Sequence, residues 1–260
     1  MELKTLKKTE DKLVFEISGI NPTLANTLRR LMSAEVPTLA IQTVNFIKNT
    51  SALYDEILAH RLGLIPLKTD LKSYNLKEEC KCKGKGCALC ELKFKLKAEG
   101  PCYVNSSELK SKDPKCIPAY QDIPITYLNK NQKLELEATA ILGKGKKHIK
   151  FSPGLIYYKF YPIFKIDNVS NTKEVIASCP RGLLKEENQK IKVTDIERCD
   201  LCEACIESSE GKITLTPSKD KFIFYIESWG QLPTKEIMLK SLEVFEEKLD
   251  EFEKKLKKAK

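Results

Sequence analysis

Apolar and polar residues alternate from Lys12 to Ile20, the period-two pattern of a half-buried strand. The period then changes. Asn21 suits an N-cap and Pro22 a first helical position. Leu24, Leu28, Leu31 and Met32 fall on one face of a helix that Pro37 ends. A short strand is expected around Ala40 to Ile47. Ser51 is expected to cap a second helix, with Asp55 and Glu56 in its first turn, Leu53, Ile57 and Leu58 turned inward, and Gly63 at its end. Two clean alternations follow in a lysine-rich region broken by Cys, Pro and Asn: Leu92, Phe94, Leu96, Ala98, then Leu134, Leu136, Ala138, Ala140. A long aromatic strand, Leu155 to Phe164, and its expected partner, Phe222 to Ile226, bracket a cysteine-bearing segment. That segment, about Ile166 to Pro217, reads as an inserted domain.

The chain closes on a helix opened by Pro233. Met238, Leu242, Phe245, Leu249, Phe252 and Leu256 recur at alternating steps of four and three, a strict a/d seam narrower than an ordinary globular helix face. Such a seam fits a helix lying on its own sheet or a helix packed against a partner's helix. Its strictness and its densely charged flanks favour the partner.

Composition changes this picture little. The 260 residues are 42% hydrophobic and 31% charged, a globular profile with room for two or three compact units. The net charge of +9 suits nucleic acid or an acidic protein partner, yet the lysines are spread out. Only Lys254 to Lys260 form a dense run, and a basic last turn also complements the helix dipole. No apolar stretch is long enough to span a membrane, and Met1 to Lys4 opens no signal-peptide core. The expected compartment is therefore the reducing cytoplasm. There, clustered cysteines read as metal ligands before disulfides.

Ten cysteines make two constellations and a remainder. Cys199, Cys202 and Cys205 stand at three-residue steps, the spacing that wraps one corner of a cubane cluster, and Cys179-Pro180 upstream supplies a fourth thiolate as in ferredoxin pseudo-repeats. A 4Fe–4S cluster is favoured; a zinc knuckle is the plainer alternative. Ile213 to Leu215 is expected to form the strand after the ligand loop. Cys80, Cys82, Cys87 and Cys90 flank a turn containing Gly84 and Gly86, within reach of one tetrahedral ion. Zinc is favoured there over a second cluster. Four ligands leave no open coordination position, so the site would be structural. Cys102 and Cys116 read as buried or free thiols, and His60 as a polar packing residue. The sequence has no phosphate loop, nucleophile elbow, HExxH or magnesium-binding carboxylate set, so no catalytic residue is assigned.

The run Asn21 to Pro37, NPTLANTLRRLMSAEVP, resembles the signature helix of the RNA polymerase alpha family, and Leu53 to Leu67 resembles that family's second signature. The family spans bacterial alpha, its archaeal D-type counterpart and the eukaryotic third-largest subunit; a ferredoxin-like insertion is known in the archaeal branch. The resemblance covers essentially the whole chain. It implies an α+β architecture: a discontinuous dimerisation domain over residues 1–45, 145–165 and 218–260, an inserted mixed/β domain with the four-cysteine motif over 46–144, and a ferredoxin-like iron–sulfur domain over 166–217. It implies a heterodimer with a small alpha-like partner (archaeal subunit L), recruitment of the second-largest and other polymerase subunits, and contact with DNA only through the complex. Arg29 and Arg30 would lie near the second-largest subunit. Some archaeal relatives hold a three-iron cluster, so 3Fe–4S stands beside 4Fe–4S.

Two readings from other classes compete. A ferredoxin-type electron carrier would be mostly cluster domain, whereas here the cluster segment is a small part of a larger scaffold. A nucleic-acid-binding zinc protein would bind DNA alone with a steep salt dependence.

Overall fold

The computed structural model describes residues 1–188 and 190–259, a mixed α and β chain that divides into two compact units. One comprises Met1–Lys7, Val14–Asn26 and Tyr157–Tyr225; the other comprises Lys8–Leu13, Thr27–Ile156 and Ile226–Lys260.

Strands β1 (Glu2–Lys8) and β2 (Lys12–Ser18) open the chain. Helix α1 (Pro22–Arg30) starts as its sequence dictates: Asn21 Oδ1 accepts the Leu24 N–H at 2.8 Å, leaving one fewer orphan donor in the first turn. A π-helical turn, Leu31–Glu35, extends it, and Val36-Pro37 ends it. Ala25, Leu31 and Met32 are buried; Leu24 and Leu28 are half-buried.

Strand β3 (Pro37–Asn49) is much longer than the expected Ala40–Ile47, because its first five residues are buried and lack polar alternation. Helix α2 (Asp55–Gly63) is not capped by Ser51. That hydroxyl is committed to Asn49 Oδ1 at 2.7 Å and to the Leu53 carbonyl, and Tyr54 occupies the cap position without a side-chain bond. The turn thus outcompetes the cap. Leu58 is buried, but Ile57 is 48% exposed and His60 is exposed, so neither packs inward as expected.

Strands β4 (Leu92–Glu99), β5 (Cys102–Asn105), β6 (Lys110–Ser111), β7 (Pro124–Leu128) and β8 (Lys133–Lys144) follow. They make a four-stranded sheet of order β3-β8-β4-β6 and a two-stranded β5-β7 ribbon. The β4–β8 register sets Phe94 opposite Ala138 and Leu96 opposite Leu136, so the two alternating stripes line one core. Leu58, Leu62, Leu67, Tyr74, Ile125 and Leu128 pack into the same core.

A clasp closes loops over this sheet. Tyr74 Oη donates to Asp113 Oδ2 at 2.8 Å, and the Lys115 N–H donates to Asp113 Oδ1 at 2.9 Å. Burial pushes the Asp113 carboxyl up, but these donors prevail and hold it below its ordinary value. Asp113→Asn is expected to cost about 1–3 kcal/mol at neutral pH, since it removes one charged acceptor from a half-buried pair of donors. The sign follows from the lowered value: the contribution is present above the ordinary carboxylate pKa and lost as pH falls through the folded one. Urea titrations of wild type and variant should therefore differ at neutral pH and converge in acid. A gap that persists in acid would remove the charge from the account.

Strands β9 (Gly154–Ile166) and β12 (Ile213–Ser228) flank a small substructure, and β1-β2-β12-β9 form the second four-stranded sheet. The expected strand at Ile213–Leu215 is the start of β12. Phe15 stacks on Phe224 with centroids 5.2 Å apart, and Tyr158 meets Phe222 and Phe224 edge-on or tilted. Between them lie α3 (Thr172–Ser178), the hairpin of β10 (Leu184–Glu187) and β11 (Lys190–Val193), and α4 (Ala204–Ser208).

Helix α5 (Thr234–Lys258) ends the chain. Its buried positions are Thr234, Ile237, Ser241 and Val244, and Lys248 pairs with Glu35 of the π-helical turn at 3.2 Å. No helix among the described residues is long and apolar enough to cross a membrane.

Candidate metal centre and partner surfaces

The four sulfurs of Cys80, Cys82, Cys87 and Cys90 all lie within 4.8 Å of one another, the one such ligand group among the described residues. Separations are 3.5 Å for Cys80–Cys87, 3.6 Å for Cys82–Cys90 and 3.8 Å for Cys87–Cys90. The loop carrying them has almost no regular structure. It turns through left-handed backbone at Lys83, Gly84 and Gly86, the last two being residues that adopt it without a Cβ clash. The Cys87 N–H points at Cys90 Sγ, 3.3 Å away. Glu91, next to the last ligand, pairs with Lys77 at 2.6 Å and so ties the loop's two ends together.

Burial pushes the Cys90 thiol up to about 12. Burial also opposes ionisation of Cys82, yet bonds from the Cys80 and Cys90 thiols and from the Gly86 backbone hold it down to about 6. The Cys82 thiolate is therefore favoured beside Cys80 and Cys90, whose thiols are held up. A metal ion removes that conflict by letting every sulfur be a thiolate. The group is able to hold one metal ion, enclosed by four protein ligands.

The second cysteine set is arranged differently. Cys179, Cys199, Cys202 and Cys205 do not converge within the spacing of a single ion. Cys199 and Cys205 are buried in the small core formed by Val175, Leu183, Leu184, Ile191, Ile213 and Leu215, with Cys179 packed against it; Cys202 is exposed. Burial pushes the Cys199 and Cys205 thiols up, and the charges of Cys202 and Cys179 act on both in the same direction. Leu201 and Glu203, between the cysteines, are left-handed, so the backbone turns between successive thiols. The Leu183 N–H approaches Cys179 Sγ at 3.4 Å.

Sequence reasoning missed the groups that anchor this loop. Lys159 Nζ donates to the Cys199 carbonyl at 3.0 Å, Tyr225 Oη donates to the Glu197 carbonyl at 2.9 Å, and Arg181 pairs with Asp200 at 2.5 Å. Lys159 and Tyr225 read as ordinary strand residues; no local pattern marks them.

Along α5 the expected seam splits. Met238 and Phe245 are half-buried beside the inward face. Leu242, Leu249, Phe252 and Leu256 are 37%, 51%, 64% and 56% exposed, and Leu239 joins them at 51%. An apolar row along α5 is thus left largely uncovered by the chain's own core, the kind of surface that marks an interaction site. Arg29, half-buried, and Arg30, exposed, end α1 where the π-helical turn begins. Cys116 is buried, Cys102 half-buried, and both are free thiols.

Fold and site together define an α+β protein with an embedded four-cysteine group able to hold a metal and an exposed apolar helix face. Residues 41–157 match the family described as RNA polymerase Rpb3/RpoA insert domain. Over nearly the full length the chain is similar to proteins named DNA-directed RNA polymerase subunit Rpo3. It is 36% identical to that of Archaeoglobus fulgidus over 97% of both chains, 40% to that of Methanosarcina acetivorans over 96% of both, and 39% to that of Pyrococcus horikoshii over 97% of this chain and 96% of the other. The chain belongs to the family of DNA-directed RNA polymerase subunit Rpo3.

Proposed function

We propose that this chain is a non-catalytic assembly subunit of DNA-directed RNA polymerase that pairs through α5 with a small alpha-like subunit and then recruits the large subunits. Near-full-length similarity to Rpo3 proteins supports the polymerase reading. The exposed stripe on α5 is the observation that carries the pairing, because a solvated row of Leu and Phe is unfavourable until covered. Co-expression with a small alpha-like subunit tests it: a one-to-one complex by size-exclusion chromatography is expected. A well-behaved monomer that ignores this partner would end the proposal.

Arg29 and Arg30 are assigned to the second-largest subunit, where guanidinium geometry suits carboxylates or carbonyls. Arg29→Ala/Arg30→Ala is expected to leave pairing and metal content unchanged while weakening large-subunit recruitment by at least about 2 kcal/mol. Reconstitution from separate subunits at limiting concentration measures this, and normal assembly would remove the pair from the large-subunit contact.

The ion at Cys80, Cys82, Cys87 and Cys90 is proposed to be zinc. Tetrahedral Zn–S bonds of ~2.3 Å set sulfur–sulfur edges of ~3.8 Å, and the observed 3.5, 3.6 and 3.8 Å fit that polyhedron. Zinc here would staple a loop without activating water.

An iron–sulfur cluster is proposed at Cys179, Cys199, Cys202 and Cys205, 4Fe–4S in preference to 3Fe–4S. The three-residue spacing of Cys199, Cys202 and Cys205 with Cys179-Pro180 upstream, the left-handed residues between the cysteines and the N–H directed at Cys179 support it. Anaerobically purified protein is expected to be brown and to contain acid-labile sulfide, and Cys202→Ser to convert or destroy the chromophore. Zinc alone, with no sulfide, would refute the assignment.

A further inference from the structure

Beside the four-cysteine loop lies an open cavity of about 1020 Å³ whose charges do not balance. Three carboxylates line it, and each is engaged within the chain. Glu91 holds Lys77 at 2.6 Å, Glu137 holds Lys95 at 2.9 Å, and Asp113 accepts from Tyr74 and the Lys115 backbone. Of the four lysines on the wall, only Lys95 has an ion-pair partner among the described residues. Lys93, Lys110 and Lys112 have none there, although Glu137 also feels the Lys93 charge.

The backbone forces these lysines together. Lys95 on β4 stands directly opposite Lys110 on β6, a like-charge cross-strand pair of the kind that destabilises a sheet. Lys112 lies just past the ladder, towards Lys93. Such crowding on an edge strand is ordinary when it only blunts the edge. Here it surrounds a concavity with an apolar floor of Ala88, Leu92 and Pro114.

We infer that this cavity receives an extended acidic segment of a protein partner, an assignment independent of the partner proposed for α5. Alternate residues of an extended chain point to opposite sides. Carboxylates at one set of positions would meet the three unpaired lysines, and aliphatic side chains at the other would meet the floor. β6 is the outermost strand of its sheet, so the cavity is bordered on that side by no further strand of the same sheet. A phosphate backbone matches less well, because it offers nothing for the apolar floor and is charged at every step.

The test uses the full chain loaded with zinc and a short fluorescein-labelled peptide alternating glutamate and leucine, read by fluorescence anisotropy. Saturable binding that weakens with salt is expected. Lys93→Glu/Lys110→Glu/Lys112→Glu should weaken it roughly tenfold or more, the product of three modest charge contacts. A charge-matched control, Lys4→Glu/Lys7→Glu/Lys8→Glu, should shift it by less than about twofold, because none of the three lines the cavity and exposed charges are screened by salt. If the glutamate triple variant loses its fold by circular dichroism, the glutamine triple variant replaces it, with a smaller loss in the same direction expected. No saturable binding, or equal losses in both triple variants, overturns the inference. Preferential binding of short double-stranded DNA, abolished by the cavity variant, also overturns it and makes the site one for nucleic acid.

Discussion

Cys90→Ala is expected to remove the bound metal and to destabilise the unit that carries it by about 4 kcal/mol or more, the range of lost metals and disulfides. Cys90 is 1% exposed, and its sulfur lies within 4 Å of two other ligands and receives the Cys87 N–H. Little else holds this loop. Its base is closed by the Asn75 N–H to Leu89 carbonyl bond and the Lys77–Glu91 pair, and inside it the backbone bonds are short-range turns such as Lys83 N–H to Cys80 carbonyl and Lys85 N–H to Cys82 carbonyl. The left-handed turns at Lys83, Gly84 and Gly86 carry a conformational cost that one ion bonded to four sulfurs would offset. Losing one ligand opens the polyhedron and leaves three crowded thiols. Metal analysis alongside denaturant titration measures both halves. An unchanged midpoint in metal-free protein would mean that the loop folds without an ion. The core around Phe94, Leu96 and Leu136 should survive, so the loss belongs to the loop and the loops it supports.

Leu242→Glu/Leu249→Glu is expected to abolish pairing with the small alpha-like subunit while the chain remains folded. Both side chains lie on the exposed stripe of α5, opposite the inward Ile237 and Val244. Apolar anchors at the centre of such interfaces are worth about 2 kcal/mol or more each. Two of them replaced by charge should weaken association by roughly a thousandfold. Analytical ultracentrifugation of the mixed subunits reads this directly, with Val244→Glu as the contrasting variant. Val244 is 5% exposed, so its substitution should damage the monomer itself. Equal loss of fold in the stripe variant would show that the stripe is core rather than interface.

Much of this architecture is legible in the chain alone. The stripes Leu92-Phe94-Leu96 and Leu134-Leu136-Ala138 become paired strands because a period of two permits only one buried face. Asn21 and Pro22 open α1 because cap chemistry is local. The departures have equally local causes. Ser51 has two competing uses, and the Asn49–Leu53 turn takes it. Ile57 satisfies the helical period, but which side of α2 meets the core depends on β3 and β7, which periodicity does not see.

The two cysteine sets divide along the same line. The spacing of Cys80, Cys82, Cys87 and Cys90 predicts a common site because so short a stretch of chain cannot separate them far, and the sulfurs do converge. The set containing Cys179 closes across a much longer stretch, so its arrangement depends on α3, the β10–β11 hairpin and the strand behind it. That is why Lys159 and Tyr225, which hold its loop, carry no sequence signal.

The sequence by itself determined the strand and helix periods, the four-cysteine loop and the presence of an apolar seam on the last helix, all set by spacings shorter than a few turns of chain. Only the tertiary structure decided that α5 turns Ile237, Ser241 and Val244 inward and leaves Leu242, Leu249 and Phe252 to solvent. It alone set Lys95 against Lys110 across a sheet edge. Burial and charge crowding are properties of surfaces brought together from distant segments, and no local pattern contains them.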